Sequence, residues 1–411
     1  MNEILKPENG GQVLDAVRWA ADSETPLDIV GAGTKRGLGR PASGNATRLD
    51  LSALTGIVFY EPEELVIRAH AGTPIADIEA LLGDNNQQLA FEPQDLAPLY
   101  GHAVGAGTIG GLVACNLGGP RRVREGAARD HVLGFQAVSG RGEAFKSGGR
   151  VMKNVTGFDL SKLMAGSMGT LAVMTEVTLK VLPRPEKTRT VLVLGLDEAR
   201  AAEALSQALG SAFDVSGAAH LPGESAARSS VAHVSGAGAA VTAVRVEGFG
   251  PSVAARCASL RARLGAYGET EELHTANSIA LWREVRDLTL LDLADGAAAQ
   301  VWRVSVAPDQ GADVAAAVHA AAPDARICFD WGGGLLPVGL GDGEAQAEAI
   351  LRKAAGDRGG HATCLRAPEA LRADIAPFQP EAPGVAALTR RIKDAFDPKK
   401  VLNPGRMFEG V

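Results

Sequence analysis

Apolar residues follow two different periods at the start of the chain, which predicts a mixture of helix and strand. Val13, Val17 and Ala20 recur at helical spacing, so residues 12–21 are expected to form an amphipathic helix. A short apolar run at residues 27–30 is typical of a strand. The pattern predicts a small first lobe of α+β type.

A second lobe is expected to begin near residue 61. Residues 65–69 and 171–181 have the apolar character of strands. Residues 74–82 are expected to form a helix that begins after Thr73, whose side chain is suited to a helix start. The first domain therefore consists of two lobes.

Strand and helix patterns alternate beyond residue 183, where Pro183 and Pro185 favour a stiff extended linker. The apolar runs predict strands at residues 190–194, 241–246, 302–306 and 325–329, and helices at residues 197–209, 252–264, 311–321 and 344–355. Such alternation suggests an antiparallel sheet covered on one face by helices.

Two further segments of the second half have distinct patterns. Residues 216–238 are rich in Ala, Ser and Gly, and we expect a loop or an irregular excursion there. Near the C-terminus, Val385, Leu388, Ile392 and Phe396 recur at spacings of three and four. This spacing predicts a helix that returns the chain to the first domain.

Length and composition limit the function classes. The chain has 411 residues, of which 46% are hydrophobic, enough for a full core and for two to three domains. Its 41 basic and 48 acidic residues give a net charge of −7, which argues against nucleic acid as a partner. No apolar stretch approaches the roughly 18–20 residues that span a bilayer. Without an apolar signal segment at its start, the chain is expected to be a soluble cytoplasmic protein with free thiols.

Cysteine and histidine spacing gives no support for a metal site. Cys115, Cys257, Cys328 and Cys364 lie far apart, so an iron–sulfur cluster held by this chain is not expected. Cys115 is interpreted as a small buried apolar residue. The histidines of the second half are isolated from one another and from ligand-like carboxylates: His220, His233, His274, His319 and His361. His102 remains a weak catalytic candidate beside a glycine-rich segment.

The first glycine cluster follows the strand at residues 27–30. Gly31, Gly33 and Gly37 form a strand-to-loop arrangement whose backbone amides can converge on a phosphate. A dinucleotide fingerprint of the Gly-x-Gly-x-x-Gly type is not satisfied, because Arg36 occupies the third glycine position. No Walker-type ending is present either, and a purely structural glycine turn remains the alternative for this loop.

The second glycine cluster spans residues 105–119 and contains Gly105, Gly107, Gly110, Gly111, Gly118 and Gly119. Backbone without Cβ atoms can approach a ligand closely, at an entropic cost that an ordinary loop has no reason to bear. We expect a large planar or anionic cofactor to lie against this segment.

Taken together, these blocks resemble the FAD-binding segments of the vanillyl-alcohol oxidase and p-cresol methylhydroxylase flavoproteins. The resemblance extends over residues 30–37, 108–119, 129–134, 153–160, 166–173, 396–398 and 403–406. It implies that FAD is the cofactor. The loop at residues 31–37 lacks the histidine through which some relatives attach flavin, so the resemblance implies non-covalent binding.

Within that family, the blocks at residues 281–287 and 329–334 resemble the FAD-binding subunits of bacterial glycolate oxidases. The implied fold class is α+β, with a two-lobed FAD-binding domain of the vanillyl-alcohol oxidase and p-cresol methylhydroxylase type and an antiparallel α+β cap domain. The implied domains are an FAD-binding domain at residues 1–183 (lobes about 1–60 and 61–183), a cap at 184–380, and a C-terminal return at 381–411.

The resemblance also implies which residues bind the cofactor. The loop amides, with Lys35 or Arg36, would neutralise the pyrophosphate, and Asn116 would flank the flavin ring. The full expected set is Gly31, Ala32, Gly33, Thr34, Lys35, Arg36, Gly37, Pro93, Gly105, Thr108, Ile109, Gly110, Gly111, Ala114, Asn116, Gly118, Gly169, Thr170, Val173 and Asn403. Arg283 and Arg286 are weak candidates for binding a substrate carboxylate.

Catalytic relatives have paired histidines and a carboxylate that hold a metal and take the substrate proton, and this chain lacks that motif. The implied function is therefore an FAD-binding subunit of a glycolate oxidase complex, beside a catalytic flavoprotein subunit and an iron–sulfur subunit. Peripheral association with a membrane through those partners is compatible with it. Two alternatives stay open: a self-sufficient FAD-dependent D-2-hydroxyacid or D-lactate dehydrogenase, and a non-catalytic scaffold that has lost flavin.

Overall fold

The computed structural model describes residues 4–150, 157–291, 300–341 and 346–411. The chain divides into two compact units. The first comprises Met1–Gly118, Gly126–Arg184 and Arg372–Val411, and the second comprises Gly119–Glu125 and Pro185–Leu371. The segment Gly119–Glu125 thus belongs with the second unit, and the first unit resumes at Arg372, before the boundary expected at residue 381. Of the sequence patterns, residues 153–156 and the first two residues of the helix expected at 344–355 lie outside the described residues.

Strands are found throughout both units. In chain order they are β1 (Ile4–Leu5), β2 (Leu27–Val30), β3 (Thr47–Asp50), β4 (Ile57–Glu61), β5 (Val66–His70), β6 (Gln87–Gln88), β7 (Val132–Ser139), β8 (Ala144–Gly148), β9 (Ala172–Lys180), β10 (Leu182–Pro183), β11 (Lys187–Leu194), β12 (Val215–Leu221), β13 (Val241–Gly248), β14 (Thr270–Leu273), β15 (Gln300–Ser305), β16 (Arg326–Ile327), β17 (Leu335–Leu340) and β18 (His361–Arg366).

The helices include several short ones. In chain order they are α1 (Gly10–Asp22), α2 (Ile75–Asp84), α3 (Ile109–Cys115), α4 (Arg122–Glu125), α5 (Ala128–His131), α6 (Leu160–Met164), α7 (Glu198–Leu209), α8 (Gly223–Ala226), α9 (Ala232–Ser235), α10 (Gly250–Leu264), α11 (Thr275–Arg286), α12 (Gly311–Ala321), α13 (Ala347–Gly356), α14 (Glu369–Asp374) and α15 (Pro383–Phe396).

The first unit contains a three-stranded parallel sheet, a five-stranded antiparallel sheet and an antiparallel pair of the short strands β6 and β10. The parallel sheet has the order β1-β3-β2, and the antiparallel sheet has the order β4-β5-β9-β7-β8. Because β4 begins at Ile57, the second sheet starts slightly before the lobe boundary that the sequence suggested. Val13, Val17 and Ala20 on α1 are fully buried, which confirms the apolar face predicted from their spacing.

The C-terminal segment packs into this core. Val401 and Leu402 belong to the same buried cluster as Leu27, and the Leu27 backbone N donates to the Val401 carbonyl at 2.7 Å. A parallel bridge pairs Leu27 with Leu402. The C-terminal residues therefore extend the edge of the parallel sheet beside β2.

The second unit repeats one motif. Strands β11 to β14 form an antiparallel sheet in the order β12-β13-β11-β14, and strands β15 to β18 form one in the order β16-β17-β15-β18. Apart from the short helices α8 and α9 between β12 and β13, each set follows the path strand, helix, strand, strand, helix, strand, the split βαβ arrangement. Where the sequence suggested a single antiparallel sheet, the structure has two. An antiparallel bridge between His220 and Phe329, with both backbone hydrogen bonds at 3.0 Å, joins them.

The prediction of a loop at residues 216–238 is wrong, because this segment contains most of β12 as well as α8 and α9. All seven residues of β12 are buried. A Cβ on Gly217 would lie 3.0 Å from the Trp282 ring and 3.2 Å from Arg245 Nε, so the absence of a side chain makes room for both. Small residues here reflect close packing rather than irregular backbone.

The segment Gly119–Glu125 is fixed to the second unit by a buried ion pair. The Arg121 guanidinium donates to both carboxylate oxygens of Glu247 at 2.8 Å, and Arg245 Nε lies 3.5 Å from the same carboxylate. Burial alone raises the pKa of Glu247, but Arg245 and Arg121 outweigh it and hold that pKa well below its usual range. The two parallel hydrogen bonds of such a bidentate pair fix both the position and the orientation of the Arg121 guanidinium.

Candidate functional site: a glycine-lined cleft in the first unit

The loop at residues 31–37 follows β2 and turns sharply at Gly33, whose φ of 73° lies in the left-handed region. A Cβ on Gly31 would collide with the Thr108 side chain, so this glycine permits a close approach between the loop and α3. Thr108 caps α3, because its Oγ1 accepts a hydrogen bond from Gly111 N at 3.4 Å. Two separate glycine clusters are thereby brought together.

Helix α3 is held tightly at both ends. Gly110 N donates to the Ala71 carbonyl at 2.8 Å, and a Cβ on Gly110 would lie 2.7 Å from that of Ala71. At the other end Asn116 adopts φ of 50° and its Oδ1 accepts from Arg129 N at 3.0 Å. The Asn116 side chain therefore positions the end of α3. Its expected place beside the flavin ring stays a prediction.

Asn403 connects three parts of the cleft wall. Its Oδ1 accepts from Ile29 N on β2 at 2.8 Å, and its Nδ2 donates to the Met168 carbonyl at 2.8 Å. Met168 and Gly169 both have left-handed backbone, with φ of 54° and 70°. One amide side chain thus fixes the turn that precedes β9 against the strand that precedes the glycine loop.

The walls line two adjoining open cavities of about 520 and 440 Å³, volumes that include space open to solvent. They share Ile29, Val30, Gly31, Thr108, Gly111, Ala114, Met168 and Asn403, so the cleft is continuous and elongated. Of the residues expected from the sequence, the cleft is also lined by Ala32, Gly33, Thr34, Lys35, Arg36, Gly110, Gly169 and Val173.

Seven expected residues do not line these two cavities: Gly37, Pro93, Gly105, Ile109, Asn116, Gly118 and Thr170. Ile109 is fully buried beneath α3, and Thr170 donates to the Ser167 carbonyl at 2.7 Å. A Cβ on Gly37 would lie 2.5 Å from the Tyr100 ring. For these three the structure shows a packing or bracing contact rather than exposure to the cleft.

Sequence reasoning missed Asp28, Met168 and Arg406 as components of the cleft. Cys115, which was interpreted as a small buried apolar residue, is only partly buried and lines the cleft. Arg406 is buried and donates to the carbonyls of Lys35 and Arg36 at 3.1 and 2.9 Å, so it holds the glycine loop from behind. Its place in the block at residues 403–406 was the available signal.

The two cations of the loop have different surroundings. Arg36 Nη2 lies 2.7 Å from Asp28 Oδ2, so its charge is already paired. The Lys35 amine is buried and donates to Thr34 Oγ1 at 3.3 Å. Burial lowers the pKa of Lys35, against the opposing influence of Cys115 and Asp95. An anion bound in the cleft would restore that pKa.

The residues present fit a ligand with a diphosphate and flat rings. A Cβ on Gly107 would lie 3.1 Å from Lys35 Nζ, and one on Gly111 would lie 3.9 Å from it, so the amine lies over side-chain-free backbone. A buried ammonium over backbone of this kind is suited to phosphate oxygens. The second cavity has apolar walls from Leu51, Ala71, Ala172 and Val173.

The weak catalytic candidates do not form a cluster within either unit. His102 belongs to the first unit and is exposed, whereas Arg283 and Arg286 lie on α11 of the second. Arg283 is exposed. Arg286 forms a bidentate pair with Asp287 at 2.8 and 2.6 Å. Over the described ranges, no three His, Cys, Asp or Glu side chains are grouped as metal ligands.

Within residues 4–150, 157–291, 300–341 and 346–411, every helix is too short or too polar to cross a bilayer.

Comparison with known proteins identifies the family. The FAD binding domain family matches residues 2–148. The chain is 34% identical over 399 residues, covering 96% of each chain, to glycolate oxidase subunit GlcE of Escherichia coli (strain K12). It is 32% identical over 190 residues to a D-lactate dehydrogenase of Anaerostipes hadrus, covering 46% of this chain and 38% of that protein.

Solved structures show the same fold. A 4-ethylphenol oxidase from Gulosibacter chungangensis aligns with a TM-score of 0.74 at 14% identity, covering 99% of this chain and 89% of that one. A p-cresol methylhydroxylase with substrate bound aligns with a TM-score of 0.72 at 16% identity, covering 99% and 88%. The expected fold class and the expected FAD cofactor are both confirmed. The chain is therefore an FAD-binding member of the glycolate oxidase subunit GlcE family, with the fold of the p-cresol methylhydroxylase flavoproteins.

Proposed function

We propose that this chain is the FAD-binding subunit of a glycolate oxidase complex that oxidises glycolate to glyoxylate and passes the electrons to an iron–sulfur partner. The observation that carries the proposal is the similarity to GlcE, which extends over 96% of both chains. The similarity to the D-lactate dehydrogenase covers only 46% of this chain. A full-length relationship to a subunit supports the subunit role over the self-sufficient dehydrogenase.

Bound FAD supplies the two-electron acceptor for oxidation of an alcohol carbon. In this proposal the loop at residues 31–37 binds the diphosphate through its amides, and the Lys35 ammonium neutralises one phosphate. Arg36 has a structural role in this proposal, because its ion pair with Asp28 holds the loop against β2. Asn403 and Arg406 hold this arrangement from the C-terminal side.

Residues of α3 and of the turn before β9 orient the rest of the cofactor. Gly110 and Gly111 present backbone to the flavin ring, and the stretch from Gly169 to Val173 presents backbone to the adenine. Apolar side chains line the second cavity at that end. Pre-positioning of this kind is what a protein contributes to a cofactor reaction.

Oxidation of glycolate also requires a group that accepts the hydroxyl proton. Among the described residues that line the cleft, Asp28 is the carboxylate, and it is paired with Arg36. The proposal therefore includes a catalytic flavoprotein subunit that provides the proton acceptor and an iron–sulfur subunit that receives electrons. We propose that the complex is located in the cytoplasm.

The test compares the purified chain alone with the chain co-expressed with its catalytic and iron–sulfur partners. Flavin absorbance of the pure chain, released on denaturation, is expected and would exclude the scaffold without flavin. On anaerobic addition of glycolate, the chain alone should keep its oxidised spectrum, and the assembled complex should be reduced. Reduction of the isolated chain by glycolate or D-lactate would instead establish a self-sufficient dehydrogenase.

A further inference from the structure

A turn in the second unit holds a tryptophan in a conformation that bulky residues rarely adopt. Trp331 has φ of 52°, and Gly332 and Gly333 follow with φ of 71° and 100°. The buried Asp330 fixes this turn, because its Oδ1 accepts a hydrogen bond from Trp331 N at 2.7 Å. Left-handed backbone at a bulky residue costs free energy and persists where the surrounding structure requires it.

Two arginines from different elements contact the Trp331 ring. The Cζ atom of Arg122, on α4, lies 4.7 Å from the ring centroid, and that of Arg303, on β15, lies 5.7 Å from it. The indole Nε1 donates to the Gly119 carbonyl at 3.3 Å, which fixes the ring further. Both arginines lie within cation–π distance, so Trp331 brings two guanidinium groups to one place.

The electrostatics of this cluster favour an anion. Burial and the nearby Arg122 lower the pKa of Arg303 to about 10. Burial, Arg303 and Arg122 also lower the pKa of His361, the first residue of β18. Neither the Arg122 nor the Arg303 guanidinium forms an ion pair or hydrogen bond with another described residue. Like charges gathered in this way repel each other, and a bound anion would relieve the repulsion.

We propose that Arg122, Arg303 and Trp331 form a binding site for the carboxylate of a small organic acid. The inference rests on the proposed function, in which the substrate is a 2-hydroxy carboxylate. A planar guanidinium presents paired N–H donors that match the two oxygens of a carboxylate. The inference assigns a role to the turn at residues 329–334, and it replaces Arg283 and Arg286, which are exposed and already paired, respectively.

The experiment titrates glycolate into the full-length FAD-bound chain by calorimetry. Arg122→Gln is compared with Arg124→Gln, a control in the same segment whose guanidinium contacts Asp214 and Glu125 instead of Trp331. Loss of one charge-assisted pair should weaken glycolate binding about tenfold or more in Arg122→Gln, and Arg124→Gln should bind as the wild type does. Arg303→Gln should act in the same direction, with thermal unfolding as the check on its folding.

Three results would overturn the site: no glycolate binding by the wild type at millimolar concentration, equal weakening in Arg122→Gln and Arg124→Gln, or inorganic phosphate binding more tightly than glycolate. The proposed function is scored separately by flavin content and by turnover of the assembled complex. If the chain supports turnover in the complex but gives any of these three results, the proposed subunit role stands and the proposed carboxylate site is rejected.

Discussion

The ammonium of Lys393 lies 2.8 Å from the carboxylate of Asp397, and both side chains are fully buried. Lys393 Nζ also donates to the carbonyls of Thr170 and Leu402 at 2.7 and 2.8 Å. Asp397 in turn accepts from the backbone N of Leu402 at 2.8 Å. This pair fastens α15 to the turn before β9 and to the C-terminal strand segment beside the cofactor cleft.

Replacing one member of this pair should be strongly destabilising. Lys393→Met would leave the Asp397 carboxylate buried without its counter-charge, for which we expect a loss of about 3–5 kcal/mol in the free energy of unfolding. The control is Lys353→Met, which removes an exposed ion pair to Asp357 at 3.7 Å and should change stability by less than about 0.5 kcal/mol. Urea unfolding of both variants measures the difference. Equal losses in the two variants would show that the buried ion pair stabilises the fold no more than the surface pair does.

Lys35 and Arg36 should contribute unequally to FAD affinity. Lys35→Gln removes the ammonium that lies over Gly107 and Gly111, and we expect FAD binding to weaken by about ten- to hundredfold. Arg36→Gln removes a charge already paired with Asp28, so its effect on affinity should be several times smaller. Fluorescence titration of the flavin-free proteins provides both dissociation constants. A larger loss in Arg36→Gln would reverse our assignment of the phosphate-binding cation.

Gly217 should tolerate no side chain. In Gly217→Ala the new Cβ would press on the Trp282 ring, and overpacking of this kind costs about 1–3 kcal/mol. Gly384→Ala on α15 is the control, because no atom lies within 4 Å of a Cβ there. That variant should be neutral or slightly stabilising. Thermal or urea unfolding gives both values, and an unaffected Gly217→Ala would show that β12 can shift away from α11.

His220 should make stability depend on pH. Its ring is buried, and Nδ1 lies 2.9 Å from Thr242 Oγ1. Burial lowers the pKa of His220 from 6.5 to about 4, against the influence of Glu198 and Asp197. Between these values the unfolded chain binds a proton that the folded chain does not. The contribution of neutral His220 to the free energy of unfolding is therefore fully present above pH 6.5. It is lost as the pH falls towards 4, by about 3 kcal/mol in all.

The measurement for His220 is urea unfolding at pH 7 and at pH 4.5. His220→Asn should lose less stability between these two conditions than the wild type does. In the control His233→Asn, which replaces an exposed residue, the full loss should remain. A wild-type loss that His220→Asn leaves unchanged would assign the acid sensitivity to other groups.

Periodic segments were predictable from the sequence, because their apolar residues face one core. Residues 311–321 form α12 with the predicted bounds, and the strand at 27–30 is β2. The helix expected from Val385 and Leu388 is α15, but its inward side is different. Val385 and Leu388 are each 52% exposed, whereas Lys393 is fully buried. Apolar spacing alone does not indicate a lysine whose charge is satisfied by a carboxylate and two carbonyls, one of them more than two hundred positions away.

The cleft was predictable in part for a related reason. Glycines that permit close approach are visible in the sequence, so the loop at residues 31–37 and the start of α3 were found. The Arg36–Asp28 pair was not, because it depends on how β2 and its loop fold back on each other. The contacts of Asn403 join residues more than two hundred positions apart, and spacing along the chain contains no information about them.

The early segment Gly119–Glu125 has a consequence for any attempt to dissect the protein into parts. A fragment cut at Pro185 and Leu371 would keep every strand of the two repeated sheets, yet it would lack Arg121 and Arg122. Glu247 would then lose its bidentate partner and keep Arg245 and the Thr188 hydroxyl, and the indole of Trp331 would lose one of its cations. The second unit is thus completed by a short peptide that is synthesised well before the rest of that unit. A single continuous fragment of residues 185–371 would therefore lack part of the second unit.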